Sequence, residues 1–129
     1  MYIDTDIHKQ KNGKFFSRVI AFDRVCYKLI KIIYTGTEGG YILKTPFVGM
    51  NIIPDKEYQS IMFEQLTHNN YTYYGFHTFD KYEDAVEYNK KMELGANIFK
   101  AIIPRGGKYY HLMNNMLVSN KIILKEQLS

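Results

Sequence analysis

Three observations predict an α+β fold: a mainly antiparallel, strongly curved sheet of about six strands with one main helix packed on it. Short runs rich in β-branched and aromatic residues recur along most of the chain. Only one stretch, about residues 81–94, carries helical periodicity between a start and a stop signal. Glycine- and proline-bearing breaks divide the remaining runs, and no repeat, linker or low-complexity tract interrupts them. The 129 residues therefore read as a single domain, 1–129, long enough to bury a core.

Residues 2–22 predict a hairpin, because Asn12-Gly13 is the dipeptide that best accepts the two positive φ angles of a type I′ turn, although its flanks alternate poorly. Arg24–Tyr34 is the clearer strand: Val25, Tyr27 and Leu29 share a face, and the phase slips near Ile30, as a bulge or two-sided burial requires. Thr35 to Gly40 is a turn. Tyr41–Phe47 returns as the partner strand, and Pro46, which cannot donate to a ladder, ends it or places it on an edge. Gly49 to Asp55 is a connection, and Glu57 to Leu66 fits helix and strand periods equally.

Tyr71–Phe79 is the strand about which the chain is organised, apolar or aromatic on both faces and so central in its sheet. It runs into the helix, where Asp80 and Glu83 have the spacing of a capping box. Tyr82, Ala85, Val86, Asn89 and Met92 make the inward stripe, and Gly95 supplies the stop. Asn97–Ile103, Lys108–His111 and Val118–Glu126 follow as strands, with Pro104-Arg-Gly-Gly107 breaking the first from the second. Phe76, Phe79, Tyr82, Ala85, Val86, Ile98, Ile102 and Ile122 are the expected core.

Composition narrows the function classes. The hydrophobic fraction is 46% and the charged fraction 23%, values of a globular chain and not of a disordered one. No apolar run is long enough to cross a membrane, and the first residues lack the pattern of a signal peptide, so the expectation is a cytoplasmic protein that neither spans nor binds a membrane. One cysteine, Cys26, excludes an internal disulfide framework. The net charge of +4 is spread over lysines that form no run longer than two, which makes direct nucleic-acid binding the lesser expectation beside a protein partner. Twelve tyrosines and eight phenylalanines, with no tryptophan, exceed what a core of this size hides, and either reflect biased composition or lie at a working surface.

The chain carries little recognisable chemistry. Its four histidines stand far apart without ligand spacing, which predicts no metal and no cofactor. Pro104 to Lys108 offers two readings: a plain turn, or backbone N–H groups and two cations arranged for a phosphate. His77, mid-strand and close to a helix start, likewise reads as structural or as catalytic. Gly75-Phe-His-Thr-Phe79, the helix bearing Ala85, Lys100-Ala-Ile-Ile-Pro-Arg-Gly-Gly-Lys-Tyr-Tyr110 and Val118-Ser-Asn-Lys-Ile-Ile123 together resemble a pattern in small proteins of phages and mobile elements, covering roughly Cys26 to Glu126. That resemblance implies a genetic context: a non-enzymatic accessory factor that binds and inhibits a host protein or ribonucleoprotein, as anti-CRISPR and other anti-defence proteins do.

Two alternatives belong to other classes. The order of strand histidine, helix and strand resembles the start of ADP-ribosyltransferase-like NAD-binding domains, for which Glu126 is the only late acidic residue. Aromatic side chains with mild basicity also suit a protein that sequesters a nucleotide. For partner binding, Tyr71, Tyr73, Arg105, Lys108, Tyr109 and Tyr110, with His77 beside them, are the candidate residues, expected to share one sheet edge with the proline-glycine turn at its tip.

Overall fold

The computed structural model describes residues 4, 8, 10–11, 14–36, 40–46, 49–60, 63 and 75–129. The fold is mostly antiparallel sheet with a single α-helix among the described residues. The main sheet has nine strands rather than about six. A two-stranded ribbon, β1 (Gln10–Lys11) and β2 (Lys14–Phe15), stands apart with register Lys11↔Lys14, which leaves the two residues of the Asn-Gly signal between its strands.

The other elements are β3 (Arg18–Val19), β4 (Arg24–Tyr34), β5 (Tyr41–Lys44), β6 (Glu57–Gln59), β7 (Phe76–Phe79), α1 (Tyr82–Lys91), β8 (Asn97–Ile103), β9 (Lys108–His111), β10 (Met116–Ser119) and β11 (Lys121–Gln127). Their order is β3-β9-β10-β7-β4-β8-β11-β6, with β5 paired to β4. The expected single strand Val118–Glu126 is thus two strands, interrupted at Asn120. Asn120 makes three hydrogen bonds to two neighbours there: its Oδ1 accepts from Lys108 N at 2.8 Å, its N donates to Lys108 O at 3.0 Å, and its carbonyl accepts from Ser60 N at 2.7 Å. A pairing path that leaves β10 through β7, β4 and β8 therefore comes back to β11, the continuation of β10.

Alternation splits the core between the two faces of the strands. One face gathers Cys26, Ile30, Phe76, Phe99, Ala101, Ile103, Leu117, Ile122 and Leu124. The other gathers Leu29, Phe79, Ile98, Met116 and Val118 beneath α1. Lys28, Leu29 and Ile30 are consecutive and all buried, so the phase slip read near Ile30 is two-sided burial.

Between β4 and β7 the ladder is reduced to the pair Tyr27↔Phe79. Side chains of β4 hold the rest of that seam. Arg24 Nη2 meets Asp80 Oδ1 at 2.9 Å, and Lys28 Nζ donates to the His77 carbonyl at 2.8 Å. Asp80 is therefore committed to an ion pair. The helix has Lys81 at its N-cap with no side-chain cap bond, which corrects the expected capping box.

The inward stripe of α1 also differs from expectation. Ala85 is buried and Tyr82 and Tyr88 pack against the sheet, whereas Val86 is 42% exposed and Met92 47%. Tyr82, Ala85 and Tyr88 lie at a strict spacing of three, and this line turns Val86 outward. The helix stops earlier than the glycine signal predicts, at Lys91 with Met92 as its C-cap, and the left-handed residue after the cap is Glu93 at φ 51°, two residues before Gly95 at φ 61°.

Candidate functional site

The Pro104–Lys108 turn joins β8 to β9, and each of its backbone N–H groups is hydrogen-bonded. Arg105 N donates to Asp23 Oδ1 (2.8 Å), Gly106 N to Ile20 O (2.9 Å), Gly107 N to Pro104 O (2.9 Å) and Lys108 N to Asn120 Oδ1 (2.8 Å). No amide is left to cradle a phosphate, which removes that reading and favours the plain turn. A Cβ at Gly107 would stand 2.9 Å from the Pro104 carbonyl, so glycine is needed for close approach. Arg105 and Lys108 are exposed on this turn.

Among the described candidates, His77, Tyr109 and Tyr110 do not share an edge. β10 lies between β7 and β9, so the strand of His77 and the strand of Tyr109 and Tyr110 are not neighbours. Both tyrosines are core residues, 8% and 1% exposed. The Arg24 guanidinium lies 5.1 Å over the Tyr109 ring, and Tyr110 packs at 5.3 Å from Phe63 and 5.2 Å from His8. Rings so enclosed offer no face to a partner. Tyr71 and Tyr73 lie outside the described residues.

His77 sits half-buried in β7, opposite Val118 of β10. Burial, aided by the Lys28 charge, lowers its pKa to about 4, against a hydrogen bond to the Gly75 backbone that acts the other way. The imidazole is neutral at physiological pH. Burial also lowers the Lys28 ammonium to about 8 and raises the Cys26 thiol to about 11, so Cys26 is no nucleophile at neutral pH. Thr78 Oγ1 is buried beside Cys26 without a hydrogen bond of good geometry. Glu126 is exposed on β11, with β4 and β8 between it and β7.

Comparison with protein-family models, curated proteins and solved structures finds no match.

What the sequence reading missed is a run of exposed apolar side chains from just before β3 to the start of β4. Phe16, Val19, Phe22 and Val25 are 56%, 62%, 84% and 44% exposed, all within ten residues of chain. β3 ends the sheet, and among the described residues no strand pairs with its outer side. The turn described above fixes this segment in place: Ile20 exchanges backbone bonds with Gly106 and Gly107, and Asp23 caps Arg105. Arg18, Arg105 and Lys108 add positive charge around it. The one available signal was the poor alternation of residues 14–22, where apolar side chains fall on no consistent inner face.

Proposed function

We propose that the chain is a non-enzymatic accessory protein of the phage type, which binds and inhibits a host protein, alone or within a ribonucleoprotein, as anti-defence factors such as anti-CRISPR inhibitors do. The docking surface is the β3 edge with the Arg105–Lys108 turn, and its occupant is an extended segment of the partner carrying apolar and acidic side chains. The observation that carries this reading is the exposure of Phe16, Val19 and Phe22 in and flanking an edge strand with an open side. An unpaired edge offers backbone bonds to an added strand, exposed apolar side chains offer burial, and the cations select an acidic segment. Affinity purification from host lysate with wild-type protein, Phe22→Asp and Arg105→Ala, followed by mass spectrometry and affinity measurement, is the test. A stoichiometric protein should be retained by the wild type, with Phe22→Asp and Arg105→Ala each weakening it by at least about 2 kcal/mol at unchanged Tm. Equal retention by all three proteins would place the interface elsewhere.

A further inference from the structure

We propose that Lys28 and Thr78 form a buried site for one small monovalent anion of the halide class, held at the seam between β4 and β7. Lys28 lies between Cys26 and Ile30 at a period of two, so its side chain enters the face that gathers Cys26, Ile30, Phe76 and Leu117. Thr78 is on the same face of β7, two residues from Phe76 and opposite Leu117 of β10. The register Tyr27↔Phe79 then sets Lys28 and Thr78 beside each other across the seam. Cys26 is next to both, since the Thr78 hydroxyl and the Lys28 charge act on its thiol. Lys28 is 5% exposed, and Thr78 and Cys26 are 0% exposed.

Two unanswered groups define what the site takes. The Lys28 ammonium carries three donors, and one of them is met, by the His77 carbonyl at 2.8 Å. The buried Thr78 hydroxyl makes no hydrogen bond of good geometry. Among the described residues no carboxylate pairs with Lys28: Asp80, the acidic residue of this seam, is taken by Arg24 at 2.9 Å. His77 and Cys26 are uncharged at neutral pH. The seam therefore holds one net positive charge without a counter-charge. Burying such a charge is costly, and an anion that accepts from the ammonium and the hydroxyl together offsets the cost. A water molecule would answer the donors and leave the charge. A neutral amine would answer the charge and leave the hydroxyl. A divalent anion would over-compensate a single ammonium, and the closed interior selects a small one. The seam itself is the way in, because its ladder is reduced to one residue pair. The site is independent of the β3 edge, which lies at the outer end of the pairing order.

Thermal unfolding near neutral pH and at constant ionic strength, with sodium gluconate replaced stepwise by sodium chloride, tests this. The wild-type Tm should rise saturably, by about 5 °C where chloride exceeds its Kd tenfold. Lys28→Met, which keeps the side-chain length and removes the charge, should show no saturable rise, and Thr78→Val should raise the apparent Kd several-fold. The anion prefers the ammonium form and so raises the Lys28 pKa, and the rise in stability that begins near pH 8 should start at higher pH in chloride than in gluconate. Crystals of the wild type grown in sodium bromide give a reading that needs no variant: anomalous scattering should place a bromide within hydrogen-bond reach of Lys28 Nζ. A chloride response that Lys28→Met shares, or bromide bound at surface positions only, overturns the proposal.

Discussion

Several buried side chains of this protein carry protons or charges that burial opposes, and their titration is where single residues reach stability. His8 receives the His111 amide on Nε2 at 2.7 Å and donates from Nδ1 to the Phe16 carbonyl at 3.1 Å, an arrangement that requires the neutral ring. Burial lowers its pKa, as it lowers that of His77 to about 4. A folded pKa below the unfolded value near 6.5 means the unfolded chain binds more protons, so stability is complete above about pH 6.5 and falls as pH drops towards 4. Chemical denaturation across that window should show the loss, and His77→Gln should shrink it. Lys28 acts at the other end: with a folded pKa of about 8 against 10.5 unfolded it makes stability rise from about pH 8, and the Cys26 thiol, raised from 9.0 to about 11, opposes that rise above about pH 9, so the net rise falls between about pH 8 and 9. Lys28→Met should abolish that rise, and a rise that persists would mean the ammonium is not buried in solution. Tyr109→Ala should cost about 3 kcal/mol as a large-to-small core change, not as a surface one. A denaturant midpoint within error of wild type would return Tyr109 to the list of partner-facing residues.

At the scale of elements, the junction between β7 and α1 shows how a local signal yields to a tertiary one. Asp80 has the sequence context of a cap, yet its carboxylate is taken by Arg24 across the β4–β7 seam. Asp80→Ala should therefore cost only about 0.5–1 kcal/mol, since the pair is partly exposed. The loss should vanish in an Arg24→Ala background, as a double-mutant cycle can read, whereas a capping role would survive there undiminished. Gly75, at the start of β7, is constrained more sharply. It holds φ 121°, and a Cβ there would lie 2.7 Å from Val118 Cγ2 and 2.8 Å from the Ser119 carbonyl. Gly75→Ala should cost at least about 2 kcal/mol through strain and overlap together. A melting temperature unchanged by this substitution would show that β7 and β10 are spaced more widely than described.

For the whole molecule, the pairing order has a dynamic consequence. β8 is paired on both sides, with β4 along its whole length and with β11, and β4 is paired along its length first with β8 and then with β5, whereas β3 contributes only two residues to an outer edge. Hydrogen exchange should protect the amides of residues 25–30 and 97–103 most, with β3 and the tip of the β4–β5 arm exchanging first. Uniform protection would argue against separate edges. The β3 edge proposed for partner binding is one of these less protected elements, so a bound partner should slow exchange there and leave the rest of the sheet unchanged.

The amino-acid sequence by itself determined the local elements whose signals needed no distant residue. Arg24–Tyr34, Asn97–Ile103 and Lys108–His111 follow from runs of β-branched and aromatic residues bounded by turn formers, and the helix follows from periodicity, although it stops at Lys91 and not just before Gly95. These are short-range effects of sterics and burial, written within a few residues of where they act. Tertiary structure alone decided the rest. Which strand lies beside which set the fate of Tyr109 and Tyr110: β9 packs inside β3, so their rings are buried instead of displayed. It broke the last strand at Asn120, moved Asp80 from cap to ion pair, and exposed Phe22 while burying Lys28. Each outcome depends on a partner tens of residues away, and pairing energy depends on cross-strand fit that no single segment encodes.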